Sequence, residues 1–388
     1  MQMEQTVLPE SNWQRIRDFA ADKQTPCLVV DRDIIRGKFQ ELREVFPYAS
    51  VYYAMKANPD QAVLRCLEEM GSNFDIASVY ELDKLLDLDV SPDRMSYGNT
   101  IKKAREIEYA YNKGIRMFAT DSESDLRNIA KYAPGSKLYV RILTEGTETA
   151  DWPLSRKFGC QADMAIELIV LAKELGLDAC GISFHVGSQQ RDIGAWDAAI
   201  AKVRFIYDRV AEHGIKLRLI NMGGGLPAVY SNRSHDIEAY GTAIRRFLDE
   251  DFGDDQPEII IEPGRSLVGE SGVLISEVVL VSRKSRDSLY RWVFLDVGLF
   301  GGLIESLGES IKYPVYCDKA GVCGEEEEVV LAGPTCDSMD ILYEDHRYAL
   351  PQSLEAGDRL YWLSTGAYTT SYSSVEFNGF PPLKTYVI

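Results

Sequence analysis

The run VYYAMKANP, Val51 to Pro59, carries a short apolar strand pattern into a lysine and then breaks it with Asn-Pro. Val51, Tyr52 and Tyr53 have the β-branched and aromatic character of a strand. Asn58-Pro59 turns the chain out of it before the amphipathic run Gln61 to Met70. Lys56 is therefore predicted at the C-terminal lip of a strand. Barrels and open α/β sheets place their chemistry at that lip, and a lysine half-buried there becomes a usable amine nucleophile. Taken alone, the commoner reading is a surface lysine whose stem lies on apolar ground, so the balance rests on the rest of the chain.

Seven further runs repeat the pattern: NFDIAS (73 to 78), RMSYGN (94 to 99), RMFATD (116 to 121), KLYVRI (137 to 142), CGISFHVGS (180 to 188), LRLINMGGG (217 to 225) and EIIIEPGR (258 to 265). Six of the seven end in a small, polar or charged residue, KLYVRI has its charged residue one before the end, and each is followed by a helical pattern. Ala165 to Leu175, for example, carries Ile166, Ile169, Val170 and Leu171 before Gly176 stops it. Intervals of roughly 20 to 40 residues are what a strand, a helix and two loops consume, and such repetition implies parallel pairing with right-handed crossovers. Eight units predict a (β/α)8 barrel over residues 32–270, with an open doubly wound sheet as the alternative. Beyond residue 270 the helical period gives way to β-rich runs at Val273 to Val281, Trp292 to Val297, Glu328 to Ala332 and Leu360 to Ser364, which predict a mostly antiparallel β domain. The early run PCLVV (Pro26 to Val30) is read as having no helix behind it and is assigned to that domain. The β domain is then discontinuous, 1–31 plus 271–388.

The net charge of −18 over 388 residues argues against a nucleic-acid or anionic-membrane surface and favours a cationic small-molecule substrate. Seven cysteines (27, 66, 160, 180, 317, 323, 336), with no CxxC pair, fit a reduced cytoplasmic protein. Met1 to Thr25 lacks the continuous apolar core of a secretory signal, and no run reaches membrane-spanning length. Four histidines (185, 213, 235, 346) without ligand spacing give no dedicated zinc site. Glu325 to Glu328 reads as a solvated strand edge.

The seventh and eighth runs end in Gly223-Gly224-Gly225 and in Glu262-Pro263-Gly264-Arg265, the positions where a barrel typically builds a phosphate site. Consecutive glycines let backbone N–H groups approach a phosphate, and an arginine can pair with it bidentately. Either motif alone is equally a turn. Both together, with Lys56 on an earlier strand, point to a phosphorylated cofactor that a lysine could hold as a Schiff base. Pyridoxal phosphate needs that inventory and an acid to keep its pyridine nitrogen protonated. Glu262, inside the apolar run IIIEP, is the candidate acid. His185, in SFHVGS, is either a hydrogen-bonded core histidine or a ring set against a flat cofactor, with Ser188 reaching its phosphate.

YAMKAN, FDIAS, SFHVGS, GGG, EPGRS, GPTCDSMD and GAYT followed by FNGF, in that order from Thr25 to Phe380, resemble the signatures of the fold-type III pyridoxal-phosphate decarboxylases. The pattern is most similar to ornithine decarboxylases, including those that accept lysine. The resemblance implies an alanine-racemase-type barrel with a β domain, an obligate homodimer, and the conversion of ornithine to putrescine, with lysine to cadaverine as a further activity, in polyamine biosynthesis. Carried over by position, Lys56 would hold the cofactor covalently, Glu262 would meet its pyridinium and His185 would stack on its ring. Ser188, Gly223 to Gly225, Gly264, Arg265 and Tyr368 would bind its phosphate, while Asp75 and Arg141 would support the lysine and the cofactor. Cys336 would handle Cα after carbon dioxide leaves. Asp337 would pair with the substrate's distal ammonium, both reaching into the partner subunit's site, and Phe377 of FNGF would line the substrate.

One stretch departs from the family pattern. Where the relatives place an aspartate for the distal amine, this chain reads GLFGGLIESLGESIKYP (298 to 314), with Glu305 and Glu309 available. Glu305 is favoured. A glutamate is one methylene longer than an aspartate, which leaves the choice between ornithine and lysine open. Diaminopimelate would need a cationic partner where the CDSMD segment offers an acid; arginine enzymes of bacteria usually resemble much longer chains. A non-catalytic regulator of the same fold would have lost cofactor or proton-handling residues, whereas Lys56, Glu262, Arg265 and Cys336 are all present.

Overall fold

The computed structural model describes residues 8–145, 149–154, 156–232, 234–319 and 325–388. Cys323 and part of the loop around Thr144 to Arg156 (146–148 and 155) lie outside them. The chain forms two compact units: Arg36–Pro227 with Ser234–Leu267, and Met1–Ile35 with Ala228–Arg233 and Val268–Ile388.

In the first unit the eight repeated runs become eight parallel strands: Ala49–Ala54, Asn73–Ile76, Met95–Tyr97, Met117–Thr120, Lys137–Arg141, Asp178–Ser183, Leu219–Asn221 and Glu258–Ile261. They close into a barrel, since Glu258–Ile261 pairs back onto Ala49–Ala54 through Ile259 to Ala49 and Ile261 to Val51. An open sheet is thereby ruled out. The barrel interior is filled by Tyr52, Ala119, Tyr139, Cys180, Leu219 and Ile260, as a packed core requires. Tyr139 brings a hydroxyl into this apolar space and satisfies it against Ser96 Oγ at 2.7 Å.

The crossover helices begin where short polar side chains cap them. Asp60 accepts from the Ala62 N–H at 2.8 Å to start Gln61–Glu69, and Ser78, the last residue of FDIAS, accepts from the Glu81 N–H to start Val79–Leu86. Each such cap is worth about 1 kcal/mol. The helix Gln61–Glu69 buries Val63, Leu64, Cys66 and Leu67 on one face. The sequence runs overshoot the strands, because strand pairing stops before the residues that carry chemistry; these lie in the turns beyond.

The second unit is an eight-stranded, mostly antiparallel sheet. Its long strand Gly272–Ser282 pairs antiparallel with Arg359–Leu363, Arg291–Leu295 and Cys27–Val30. The parallel exceptions are Cys27–Val30 with Lys384–Val387 and Arg291–Leu295 with Glu326–Ala332. Helix Glu10–Ala20, unread in the sequence, supplies Trp13, Ile16 and Ala20 to a core with Val29, Ile275 and Tyr361.

Two expectations need correction. Cys27–Val30 does join the sheet, but a 14-residue helix, Arg32–Val45, follows it directly, so the reason given for excluding it from the barrel was wrong; its pairing with Val273 and its neighbours decides the matter. Glu326–Ala332 is an interior strand between Arg291–Leu295 and Ile341–Pro351. Its glutamates run past the start of the parallel neighbour, whose register begins Arg291 to Val329, so they pair on one side only, with Ala349, Leu350 and Pro351. Glu325, Glu326 and Glu328 are exposed there, as a solvated edge requires, and among the described residues of this run Glu327 alone is drawn into ion pairs, with Arg283 and Arg291.

Candidate active site

The first barrel strand ends at Ala54, and Lys56 is the middle residue of the 3-10 turn Met55–Ala57. Tyr53, buried, closes this turn by donating its hydroxyl to the Asn58 carbonyl at 3.0 Å. Met55 and Ala57 point inward and Lys56 stands exposed, which corrects the half-buried lysine expected from the strand pattern. The cause is the turn itself, which lifts the middle residue clear while its neighbours anchor it.

Asp75, at the end of the second strand, is buried at 7% exposure. Burial pushes its carboxyl well above the ordinary carboxylate range; Glu262 adds to the rise, while the charges of Lys56 and Arg141 oppose it. Its Oδ1 has no hydrogen-bond partner among the described residues and lies so close to Gly98 that a Cβ there would meet it at 2.0 Å. The half-buried His185 ring accepts the Gly187 N–H on Nδ1 at 3.0 Å, leaving Nε2 to carry the proton. Burial, then the positive charges of Arg141 and Lys56, holds this ring well below its usual titration range, so it stays neutral. Thr144 Oγ1 donates to the His185 carbonyl at 2.8 Å and fixes the backbone beneath the ring.

Glu262 follows the eighth strand. Asn221, 1% exposed at the end of the seventh, donates to Glu262 Oε1 at 2.5 Å and accepts the Gly223 N–H on its own Oδ1 at 2.9 Å. One asparagine thus ties the acid to the glycine run. The glycines are required by close approach: a Cβ on Gly223 (φ 63°) would lie 2.3 Å from the Phe184 carbonyl oxygen, one on Gly224 2.8 Å from that of Glu262, and one on Gly225 (φ 111°) 2.6 Å from that of Gly187. Past Gly264, Arg265, 3% exposed, donates from Nε to Ser188 Oγ at 3.0 Å. The neighbouring Ser266 hydroxyl is buried with no partner among the described residues. Ser188 opens a short strand, Ser188–Gln190, paired antiparallel with Ala150–Trp152, a two-stranded sheet that the sequence reading did not contain.

These residues fit pyridoxal phosphate. A side-chain-free cradle beside a buried arginine and an orphaned hydroxyl suits a phosphate. The aldehyde matches an exposed amine, a neutral imidazole suits an aromatic face, and a carboxylate held by an amide suits a ring nitrogen. Lys56, Asp75, Arg141, His185, Ser188, Gly223, Gly224, Gly225, Glu262, Gly264 and Arg265 all belong to the barrel unit, at or just beyond the C-terminal ends of its strands.

In the sheet unit, the loop 333–340 is built around Asp340, 3% exposed. Its Oδ1 accepts the Leu299 N–H at 2.8 Å, and its Oδ2 accepts the Thr335 N–H and hydroxyl at 3.1 and 2.7 Å. Cβ atoms on Gly298 or Gly333 would sit 2.0 or 2.3 Å from Asp340 Oδ1. Cys336, exposed, and Asp337, half-buried, ride on this loop. Phe377 packs against Phe300 with ring centroids 4.7 Å apart. Tyr368 is half-buried in the left-handed region (φ 56°). Glu305 is 2% exposed. Glu309 is committed elsewhere: its carboxylate accepts the backbone N–H groups of Glu344, Asp345 and His346 at 2.7, 2.7 and 2.8 Å. Burial works against its charge, but these three bonds and Lys312 hold it below the ordinary range.

The sequence reading missed Asn221 and Asp340. Both carried a signal: an asparagine closing the apolar strand LIN ahead of three glycines, and a second acid in GPTCDSMD seven residues after a glycine that tolerates no side chain.

A closed barrel with a lysine in the turn just beyond its first strand and an anion cradle after its last two defines a class of lysine-dependent pyridoxal-phosphate enzymes. Comparison with known proteins narrows this. The family model described as "Pyridoxal-dependent decarboxylase, pyridoxal binding domain" matches residues 32–269. The chain is 33% identical to the lysine/ornithine decarboxylase of Selenomonas ruminantium over 94% of this chain and 90% of that one. It is 36% identical to the ornithine decarboxylase of Schizosaccharomyces pombe over 86% and 76%. The structure of lysine/ornithine decarboxylase complexed with cadaverine from Vibrio vulnificus superposes with a TM-score of 0.87 at 28% identity, covering 98% of this chain and 99% of that one. The chain belongs to the fold-type III pyridoxal-phosphate decarboxylases and is a carboxy-lyase that uses pyridoxal phosphate. The same fold also serves an arginine decarboxylase of Paramecium bursaria Chlorella virus, of which 100% is covered, so chain length does not exclude arginine; it likewise serves antizyme inhibitor 2 of Xenopus laevis, 31% identical.

Proposed function

We propose that this protein decarboxylates L-ornithine to putrescine, with L-lysine to cadaverine as its second activity, as a cytoplasmic homodimer with shared active sites. The observation that carries the substrate class is the acid character of the sheet-unit loops. Asp337 rides on the Asp340-braced loop, and Glu305 is held buried while Glu309 is committed to backbone amides. Two acids at that end suit a distal ammonium and oppose a distal carboxylate.

In this reading Lys56 would hold the cofactor covalently. Arg265, Ser188, Tyr368 and the three glycines would hold its phosphate, His185 would lie against its ring as a neutral imidazole, and Asn221 would keep Glu262 available to its ring nitrogen. Pyridoxal phosphate, when bound, supplies the sink for the electron pair left when the bond from Cα to the carboxylate breaks. The partner subunit's Cys336 gives the proton that makes Cα a CH2, and solvent restores it; the products are carbon dioxide and the diamine. Asp337 and Glu305 fix the distal ammonium and so the length of side chain admitted. The test is initial rates with ornithine, lysine, diaminopimelate and arginine at equal concentrations: ornithine is expected first and lysine second, and a faster rate with arginine or diaminopimelate rejects the substrate assignment.

A further inference from the structure

The segment FNGF ends near Cys336 and does something more specific than line a surface. Asn378 Oδ1 lies 3.0 Å from the Cys336 backbone nitrogen and 3.4 Å from its Sγ. A backbone N–H can only donate, so the atom of Asn378 that faces it is the oxygen. The thiol facing the same oxygen must then donate as well, and its proton points at Asn378. Residue 378 sits in the left-handed region (φ 52°, ψ 20°), where asparagine and aspartate are the side chains best tolerated besides glycine. The turn that carries it is anchored on both sides. Phe377 packs on Phe300, and Ser374 donates its N–H and hydroxyl to the Phe300 carbonyl at 3.0 and 2.8 Å. Asp340 holds Leu299 and Thr335, which bracket the same ground. The thiol is therefore held by a braced acceptor, not left to rotate.

We propose that Asn378 is a positioning residue that holds the Cys336 thiol in a fixed orientation, poised to deliver its proton to Cα after carbon dioxide has left. This rests on the proposed role of Cys336 in that delivery. The proton on sulfur points at an acceptor too weak to remove it, and turning the thiol toward a substrate costs only one long hydrogen bond.

The experiment compares Asn378→Gly, which removes the acceptor without straining a left-handed residue, with Asn378→Asp, which keeps both acceptor and backbone preference. Holoenzyme without substrate is treated with iodoacetamide, and alkylation of the Cys336 peptide is followed by mass spectrometry. Asn378→Gly should react about three times faster or more, the scale of losing one ordinary hydrogen bond, since that bond must be given up before the sulfur attacks; Asn378→Asp should react no faster than the parent. With ornithine, Asn378→Gly should lose several-fold in kcat with KM within about twofold, because the lost contact acts after binding, and Asn378→Asp should recover most of the loss. An Asn378→Gly protein that melts like the parent and is alkylated at the parent rate overturns the proposal, and so does a fast-reacting Asn378→Asp. Cys336→Ala separates the two ideas: parent-like turnover in that variant rejects the role of Cys336 itself, whatever the alkylation rates show about Asn378.

Discussion

Lys56 owes its exposure to three residues of 3-10 turn, with Tyr53 closing it from below. Since Lys56 is exposed rather than a core filler, Lys56→Ala should leave a folded protein whose turnover falls below roughly a thousandth of the parent, the scale seen when a covalent group is removed. Turnover and circular dichroism check this, and a retained tenth of the rate would unseat the lysine. His185 makes a prediction about pH. Folded, burial and its cationic neighbours keep the ring neutral far below its usual range, whereas in the unfolded chain it takes up a proton near pH 6.5. The unfolded state thus binds more protons in acid, so the contribution of this group to stability is complete above about pH 6.5 and falls as the pH drops below it. His185→Gln should flatten the acid limb of the stability curve between about pH 6.5 and 5. Denaturant midpoints across that interval measure it; an unchanged slope would mean that the folded ring is charged. His185 was legible as a residue but not as a neutral ring with its proton on Nε2, because that depends on Gly187 folding back onto Nδ1.

The segment Ile304–Glu309 shows why some elements resist reading. Its residues form a 3-10 segment interrupted at Leu307 and Gly308, with no period that a sequence could advertise, and it is fixed from outside. Tyr343 accepts from Ser306 Oγ at 3.1 Å and donates to the Ile311 carbonyl at 2.6 Å, and Glu309 takes three amides of the strand Ile341–Pro351. Glu305→Gln should raise KM for ornithine by roughly tenfold or more, the scale of breaking a desolvated charge pair, with little change in melting temperature. Glu309→Gln should do the reverse, lowering the melting temperature before it touches KM. Steady-state kinetics beside thermal melts decide, and an effect on KM confined to Glu309→Gln would move the substrate contact one turn along. The barrel strands, by contrast, were legible as a repeat because each buried strand and each amphipathic helix carries its own pattern. The two-stranded sheet of Ala150–Trp152 with Ser188–Gln190 was not, since three-residue strands far apart in the chain leave no period.

At the scale of the molecule, both units were visible in the change from helical to β pattern near residue 270, while the membership of Cys27–Val30 was settled only by its partners in the sheet. The proposed shared site also belongs at this scale. Lys56→Ala and Cys336→Ala homodimers should each be severely impaired. Mixed with free exchange of subunits, half of the dimers are hybrid and one of their two sites is whole, so about a quarter of parent activity should return by two-fold symmetry. Ornithine decarboxylation before and after demonstrated exchange measures it, and no recovery rejects the shared site while leaving barrel and cofactor intact. The strand Cys27–Val30 has one more consequence. Its partners are Gly272–Ser282 and Lys384–Val387, so during translation it must wait, apolar and unpaired, through the synthesis of every barrel strand. The barrel pairs mostly neighbours in the chain and can assemble as it emerges; the sheet has to hold its first strand in reserve until Gly272–Ser282, and on its other side Lys384–Val387, are made. The ribosome thus delivers the cofactor-holding unit early and the unit that carries Cys336 late, and a nascent chain stalled between the two carries an open apolar strand, a substrate for chaperones.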